Sequence, residues 1–202
     1  MRRSLIASLA GVALLSVAGA AQAAVLVYDA TLNGPSESPP NASAGVGFAQ
    51  VTIDNVANTM LVDVTFSGLS GTTTASHIHC CTASPFTGAA GVATQVPTFI
   101  GFPLGVTSGT YASPLFDLTQ ASTWNPAFVT ASGGTTALAE ATLLSGLSAG
   151  TAYLNIHTSV VPGGEIRGFL SLVPEPQTWM LMIGGLGLMG AALRRRRLTA
   201  AV

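Results

Sequence analysis

From Met60 to Ser67 apolar and polar residues alternate without a break. Met60, Val62, Val64 and Phe66 fall on one face of an extended chain, and Leu61, Asp63, Thr65 and Ser67 on the other. A period of two predicts a strand with one buried face. The segment Gly45 to Ile53 is also strand-like, and Asp54-Asn-Val-Ala-Asn58 offers a turn between the two, so an antiparallel hairpin is expected here. Further strands are expected at Val25 to Leu32, Ala75 to His79, Thr136 to Leu143, Thr151 to Thr158 and Glu165 to Leu172. Between Thr82 and Asn125 the pattern breaks down. Gly, Pro, Thr and Ser punctuate this stretch, and Phe86, Phe99, Phe102, Tyr111, Phe116 and Trp124 recur without a stable period. It reads as a long excursion of short pieces packed over one end of a sheet, with Asp117-Leu-Thr-Gln-Ala-Ser122 a candidate start for a helical turn.

The phase of three strands is informative. In Ser76-His-Ile-His-Cys80, Ile78 points one way while His77 and His79 point together the other way. In Thr151 to His157, Leu154 and Ile156 share the apolar face, and Tyr153, Asn155 and His157 share the opposite one. Glu165-Ile-Arg167 repeats the arrangement, with Ile166 inward and Glu165 and Arg167 outward. If these strands are neighbours, one polar face collects His77, His79, His157, Glu165 and Arg167.

The two ends of the chain depart from this pattern. MRRSLIASLAGVALLSVAGAAQA has two arginines, an apolar run from Leu5 to about Ala18 and an Ala21-Gln22-Ala23 close, the form of a secretory signal over residues 1–23. At the other end, the uncharged residues from Pro176 to Leu193 would rise about 1.5 Å each as a helix, enough to cross a hydrocarbon core. Arg194, Arg195, Arg196 and Arg197 follow directly, and such a cluster stays on the cytoplasmic side. The expected organisation is a signal at 1–23, one β domain at 24–173 and a C-terminal segment at 174–202 with a membrane helix at about 177–193.

Charge sharpens this division. Residues 24–173 hold Asp29, Glu37, Asp54, Asp63, Asp117, Glu140 and Glu165 against Arg167 alone, a net charge of minus six that six terminal arginines hide in the whole-chain value of minus one. Phosphate neutralisation needs basic side chains, so nucleic acid is excluded as a partner. Thr, Ser, Ala and Gly dominate the domain, with β-branched residues in short runs, which predicts an exported all-β fold: a single antiparallel β-sandwich or Greek-key barrel.

Two resemblances add to this. Glu37-Ser-Pro-Pro40, His77-Ile-His79, Tyr153-Leu-Asn-Ile-His-Thr158 and Pro162-Gly-Gly-Glu-Ile-Arg-Gly168 together resemble the CHRD domain, named from chordin, over about Val25 to Leu172. That resemblance implies an extracellular all-β module without an established biochemical role; Cys80-Cys81 and the Phe-rich excursion are additions to its basic pattern. Pro174-Glu175-Pro176, an apolar helix and then Arg194 to Arg197 resemble the PEP-CTERM sorting signal of Gram-negative bacteria. It implies transient anchoring in the inner membrane, removal of the helix by an exosortase-type enzyme, and transfer to the cell surface or exopolysaccharide matrix.

Candidate chemistry centres on the histidines and cysteines. An H-x-H pair on a strand places two imidazoles about 6.5–7 Å apart at their Cα atoms, and a third from His157 would complete a nitrogen site suited to copper or zinc. Glu165 is then a candidate oxygen ligand or acceptor for a ligand's N–H. In outline such a sandwich is similar to copper-zinc superoxide dismutase, but three histidines cannot build that enzyme's two-metal site. The purely structural alternative has the three histidines bonding one another's backbones and Glu165 in a polar network with Asn155 and Arg167, the last two charges forming a surface pair or joining that network rather than acting as acid and base. Cys80 and Cys81 have no other cysteine to pair with, leaving a vicinal disulfide, disulfides between copies or thiolate ligation beside His79. Three roles stay open: a non-enzymatic surface module of structural or interaction type, a metal-binding or redox protein, and a carbohydrate-associated module, for which Trp124 or Tyr111 exposed on one face would be the mark.

Overall fold

The computed structural model describes residues 25–174 and, further on, 185–187. The expected signal at 1–23, Glu175, Pro176, Arg194 to Arg197 and all of the expected membrane helix but 185–187 lie outside the described residues. Among the described residues, no helix is long and apolar enough to cross a membrane.

Nine strands form one antiparallel sheet. In chain order they are β1 (Val25–Asn33), β2 (Val46–Asp54), β3 (Thr59–Ser67), β4 (Thr73–His79), β5 (Gly109–Ala112), β6 (Phe116–Asp117), β7 (Tyr153–Thr158), β8 (Ile166–Phe169) and β9 (Ser171–Leu172). The order across the sheet is β4-β7-β8-β1-β2-β3-β5, with β6 beside β3 and β9 beside β1. The hairpin expected from alternation is β2 and β3, in register from Val46↔Ser67 to Asp54↔Thr59. Its turn is held by the Asp54 carboxylate, which accepts from the N–H groups of Val56 and Ala57. Met60, Val62, Val64 and Phe66 are buried, as their phase requires, and they meet Tyr28, Leu32, Val51, Ile53, Leu154, Ile156 and Ile166 in one core.

The excursion lies along the free edge of β4. Cys80 N–H donates to Gly91 O and Gly105 N–H to Thr73 O, while Ile78 O and Ser76 O accept from Ala93 and Phe99. Edge groups that would otherwise stand open are thereby paired, and the buried Phe99, Phe102, Tyr111, Phe116 and Trp124 anchor the segment to the core. Trp124 donates its Nε1–H to Leu118 O, and the Tyr111 hydroxyl donates to Ile100 O. Neither ring is the exposed platform that the carbohydrate role called for. The candidate turn at Asp117 to Ser122 is the end of β6 followed by a 3₁₀ turn at Ala121–Thr123.

One expected strand is a helix. Thr136–Ser148 forms α2, after a short α1 at Pro126–Ala131. Ala139, Leu143 and Leu147 recur every four residues and are buried on one side, the spacing of a helix face rather than of a strand. Thr135 supplies the N-cap, its hydroxyl accepting from Leu138 N–H.

Gly168 shows how closely the sheet is fitted. A Cβ there would run into the backbone carbonyl of Thr31 on β1, and backbone cannot step aside as a side chain would. Gly168→Ala is expected to destabilise the domain by about 1–3 kcal/mol, the usual cost of overpacking, measured by thermal or urea denaturation.

Candidate functional site

Register assembles the polar face. β4 and β7 pair His77 with Asn155, His79 with Tyr153 and Ala75 with His157. β7 and β8 then pair Asn155 with Arg167 and Tyr153 with Phe169. Cross-strand partners share a face, so His77, Asn155 and Arg167 form one row and His79, Tyr153 and Phe169 the next. The juxtaposition suggested by strand phase is present for the three histidines, Asn155 and Arg167.

This face is buried rather than outward. Loops cover it, and their backbone carbonyls take one ring nitrogen of each histidine: His77 Nε2 bonds Pro97 O at 2.6 Å, His79 Nδ1 bonds Ala90 O at 2.9 Å and His157 Nδ1 bonds Pro162 O at 3.0 Å. The histidines thus bond loop carbonyls, not one another's backbones or Glu165. Their ring centroids lie 5.3–5.7 Å apart. Tyr153 stacks on His79 at 4.9 Å, and its hydroxyl donates to Ala90 O.

A carbonyl only accepts, so each bonded ring nitrogen carries the proton and the other nitrogen of a neutral ring is a lone pair. Burial lowers His77 and His79 to a pKa of about 4, and burial also lowers His157, so all three rings are neutral near pH 7. The remaining nitrogens, His77 Nδ1, His79 Nε2 and His157 Nε2, are buried and have no partner among the described residues. One nitrogen from each ring lies within 4.8 Å of the other two.

The charged residues of the Pro162-Gly-Gly-Glu-Ile-Arg-Gly168 block are both buried, which corrects the expectation of a surface pair. Nor do they share a partner. Glu165 stands apart from the histidine cluster and is not a fourth ligand: its carboxylate accepts from Ser43 Oγ, Ser70 N–H and Thr158 Oγ1 at 2.6 Å each and from Gly71 N–H at 3.3 Å. Burial pushes this carboxyl up, but the bonds from Ser43, Thr158 and Ser70 outweigh it and hold it below the usual range. Arg167 lies on the histidine face, 4.6 Å from the Tyr153 ring centre, and donates to Ser36 O and Gly88 O. Its acid is Glu37, 3.8 Å away. Burial raises Glu37 to about 7 despite the attraction of Arg167. Glu37 could be noticed in the sequence only as part of a short Pro-rich block, because nothing local marks it for burial.

Cys80 and Cys81 are joined as a vicinal disulfide. Strand alternation turns Cys80 away from His79, and the sulfurs lie against Gly146 of α2, where a Cβ would strike both. Thiolate ligation beside His79 therefore does not occur here. Cys81 remains exposed at the rim of a shallow hollow of about 360 Å³ along α2.

Comparison with known families now bears on the fold. The CHRD domain matches residues 28–170. The chain belongs to the CHRD domain family. The matched span runs from within β1 to the residue before β9, so it takes in the polar face, the excursion and the disulfide of this CHRD domain. A PEP-CTERM protein-sorting motif matches residues 172–197, beginning at Leu172, the end of β9. No curated protein and no solved structure matches the chain.

Two outcomes follow from the buried charges. Glu165→Ala strands the buried backbone N–H of Gly71 and the half-buried one of Ser70 and is expected to destabilise the domain on the order of 3 kcal/mol in urea melts, since hydrogen bonds to a charged group contribute more than neutral ones. For Glu37, the folded pKa of about 7 exceeds the ordinary 4.5, so its contribution is most favourable below pH 4.5 and is lost as pH rises to about 7. The buried histidines act in the opposite sense over an overlapping window, but they cancel in a comparison. The melting temperature of the wild type minus that of Glu37→Gln should therefore fall between pH 4.5 and about 7; a flat difference would show Glu37 to be ionised throughout.

Proposed function

We propose that this chain is a non-enzymatic surface module: exported, held briefly at the inner membrane, cut by an exosortase-type enzyme, and displayed at the cell surface or in the extracellular polymer matrix. The PEP-CTERM motif marks the chain for export and membrane processing, and such motifs are recognised by exosortases in Gram-negative bacteria. The carrying observation is the junction. The folded sheet ends at Leu172, and the exposed Pro174 follows two residues later, so cleavage near Pro174-Glu175-Pro176 would leave every strand of the domain in place. A structural or interaction role suits a sheet whose β4 edge is paired and a domain with few charged side chains, which offers neutral hydroxyl-rich surface to a partner.

A second reading, metal binding, is favoured by the three unpartnered histidine nitrogens. The carbohydrate-associated role loses its aromatic platform with the burial of Trp124 and Tyr111.

In a Gram-negative host that carries an exosortase, the wild-type chain should be recovered in the surface fraction in a form shortened at its C-terminus. Replacing Pro174, Glu175 and Pro176 together by alanine should leave full-length chain in the inner membrane, as read by fractionation and immunoblot. Equal shortening and display of both forms would overturn the sorting route.

A further inference from the structure

We propose that His77 Nδ1, His79 Nε2 and His157 Nε2 together bind one copper or zinc ion. Three independent features converge on it. First, Pro97 O, Ala90 O and Pro162 O each hold the N–H of one ring, which leaves the lone pair on the other nitrogen before any ion arrives. Carbonyl acceptors of this kind orient the imidazoles of metal sites in general.

Second, the three free nitrogens are buried acceptors with nothing to accept from among the described residues. They cannot satisfy one another, since none carries a proton. A water molecule brings two hydrogens to three acceptors and leaves one unmet. A single cation satisfies all three at once.

Third, the dimensions suit one ion. One nitrogen of each ring lies within 4.8 Å of the other two, so the three lie within about 2.8 Å of a common centre, and zinc–imidazole bonds of about 2.0–2.1 Å ask each to move in by at most roughly 0.7 Å. Small ring rotations about the strand-held Cα atoms provide such a shift.

The donor set also chooses the ion. Neutral nitrogen ligands suit copper and zinc, whereas calcium and magnesium require oxygen. Glu165 is committed to Ser43, Ser70, Gly71 and Thr158, and Glu37 faces Arg167. His157 is the most solvent-accessible of the three residues.

The test uses the full chain, purified in detergent, stripped with chelator and then presented with Zn²⁺ or Cu²⁺ singly. Elemental analysis after desalting should find one ion per chain for at least one of the two metals. In His157→Gln and His79→Gln the affinity should fall by about a hundredfold or more, since loss of a ligand exceeds the 10–100-fold cost of losing a ligand's supporting partner. Circular dichroism of each variant checks folding. X-ray absorption on the loaded wild type provides a measurement that does not depend on the variants, with imidazole nitrogen expected at about 2.0–2.1 Å. Failure of the wild type to retain either ion, unchanged retention in folded variants, or sulfur at about 2.3 Å in place of nitrogen would each overturn the assignment.

Discussion

The register joining β4, β7 and β8 is the constraint from which the site follows. With His77 opposite Asn155 and Asn155 opposite Arg167, the three histidines, Asn155 and Arg167 emerge on one face while Ile78, Leu154, Ile156 and Ile166 fill the other. A slip of one residue would exchange the two sets, sending imidazoles into the hydrocarbon core and isoleucines into the polar layer. The hydrophobic face therefore holds the histidines in position without touching them, and the fit of Gly168 against β1 closes the same sheet from the next strand.

Where both faces of the sheet are buried, at β4, β7 and β8, the polar one must be satisfied, and this domain does so chiefly with backbone. Loop carbonyls serve the three histidines and Arg167, and backbone N–H groups serve Glu165 beside two hydroxyls. In a domain with one arginine and no lysine, ion pairing could not have met this need. Glu165 and the Glu37–Arg167 pair sit in separate networks, which give their acids opposite character: Glu165 is held ionised by four donors, whereas Glu37 is drawn toward its neutral form by burial that its single cation does not offset.

Much of the sheet was legible because alternation is a local property. The β2–β3 hairpin, the buried set in β3 and the shared phase of His77, His79, Asn155 and His157 could all be read from residue order. What could not be read was coverage. Whether a polar face meets solvent depends on distant loops, so residue order left open whether Glu165 and Arg167 formed a surface pair or joined a network, and whether Trp124 or Tyr111 was exposed; all four are buried. The helix at Thr136–Ser148 was misread for a different reason. Its threonines carry strand preference, but a capped apolar repeat every four residues decides the outcome once it can pack on a sheet. No local signal named Pro97, Ala90 or Pro162 as hydrogen-bond partners, because the groups they contribute are present in every residue.

That last fact separates composition from geometry in the covering loops. An imidazole oriented by a carboxylate depends on one side chain, and a single substitution removes it. Here the orienting atoms belong to the main chain, so the identity of a covering residue can drift while its carbonyl stays in place. Loop length and path cannot drift in the same way, since one inserted residue would carry the oxygen off the ring it serves. The loops over this face are thus tolerant of spelling and intolerant of punctuation.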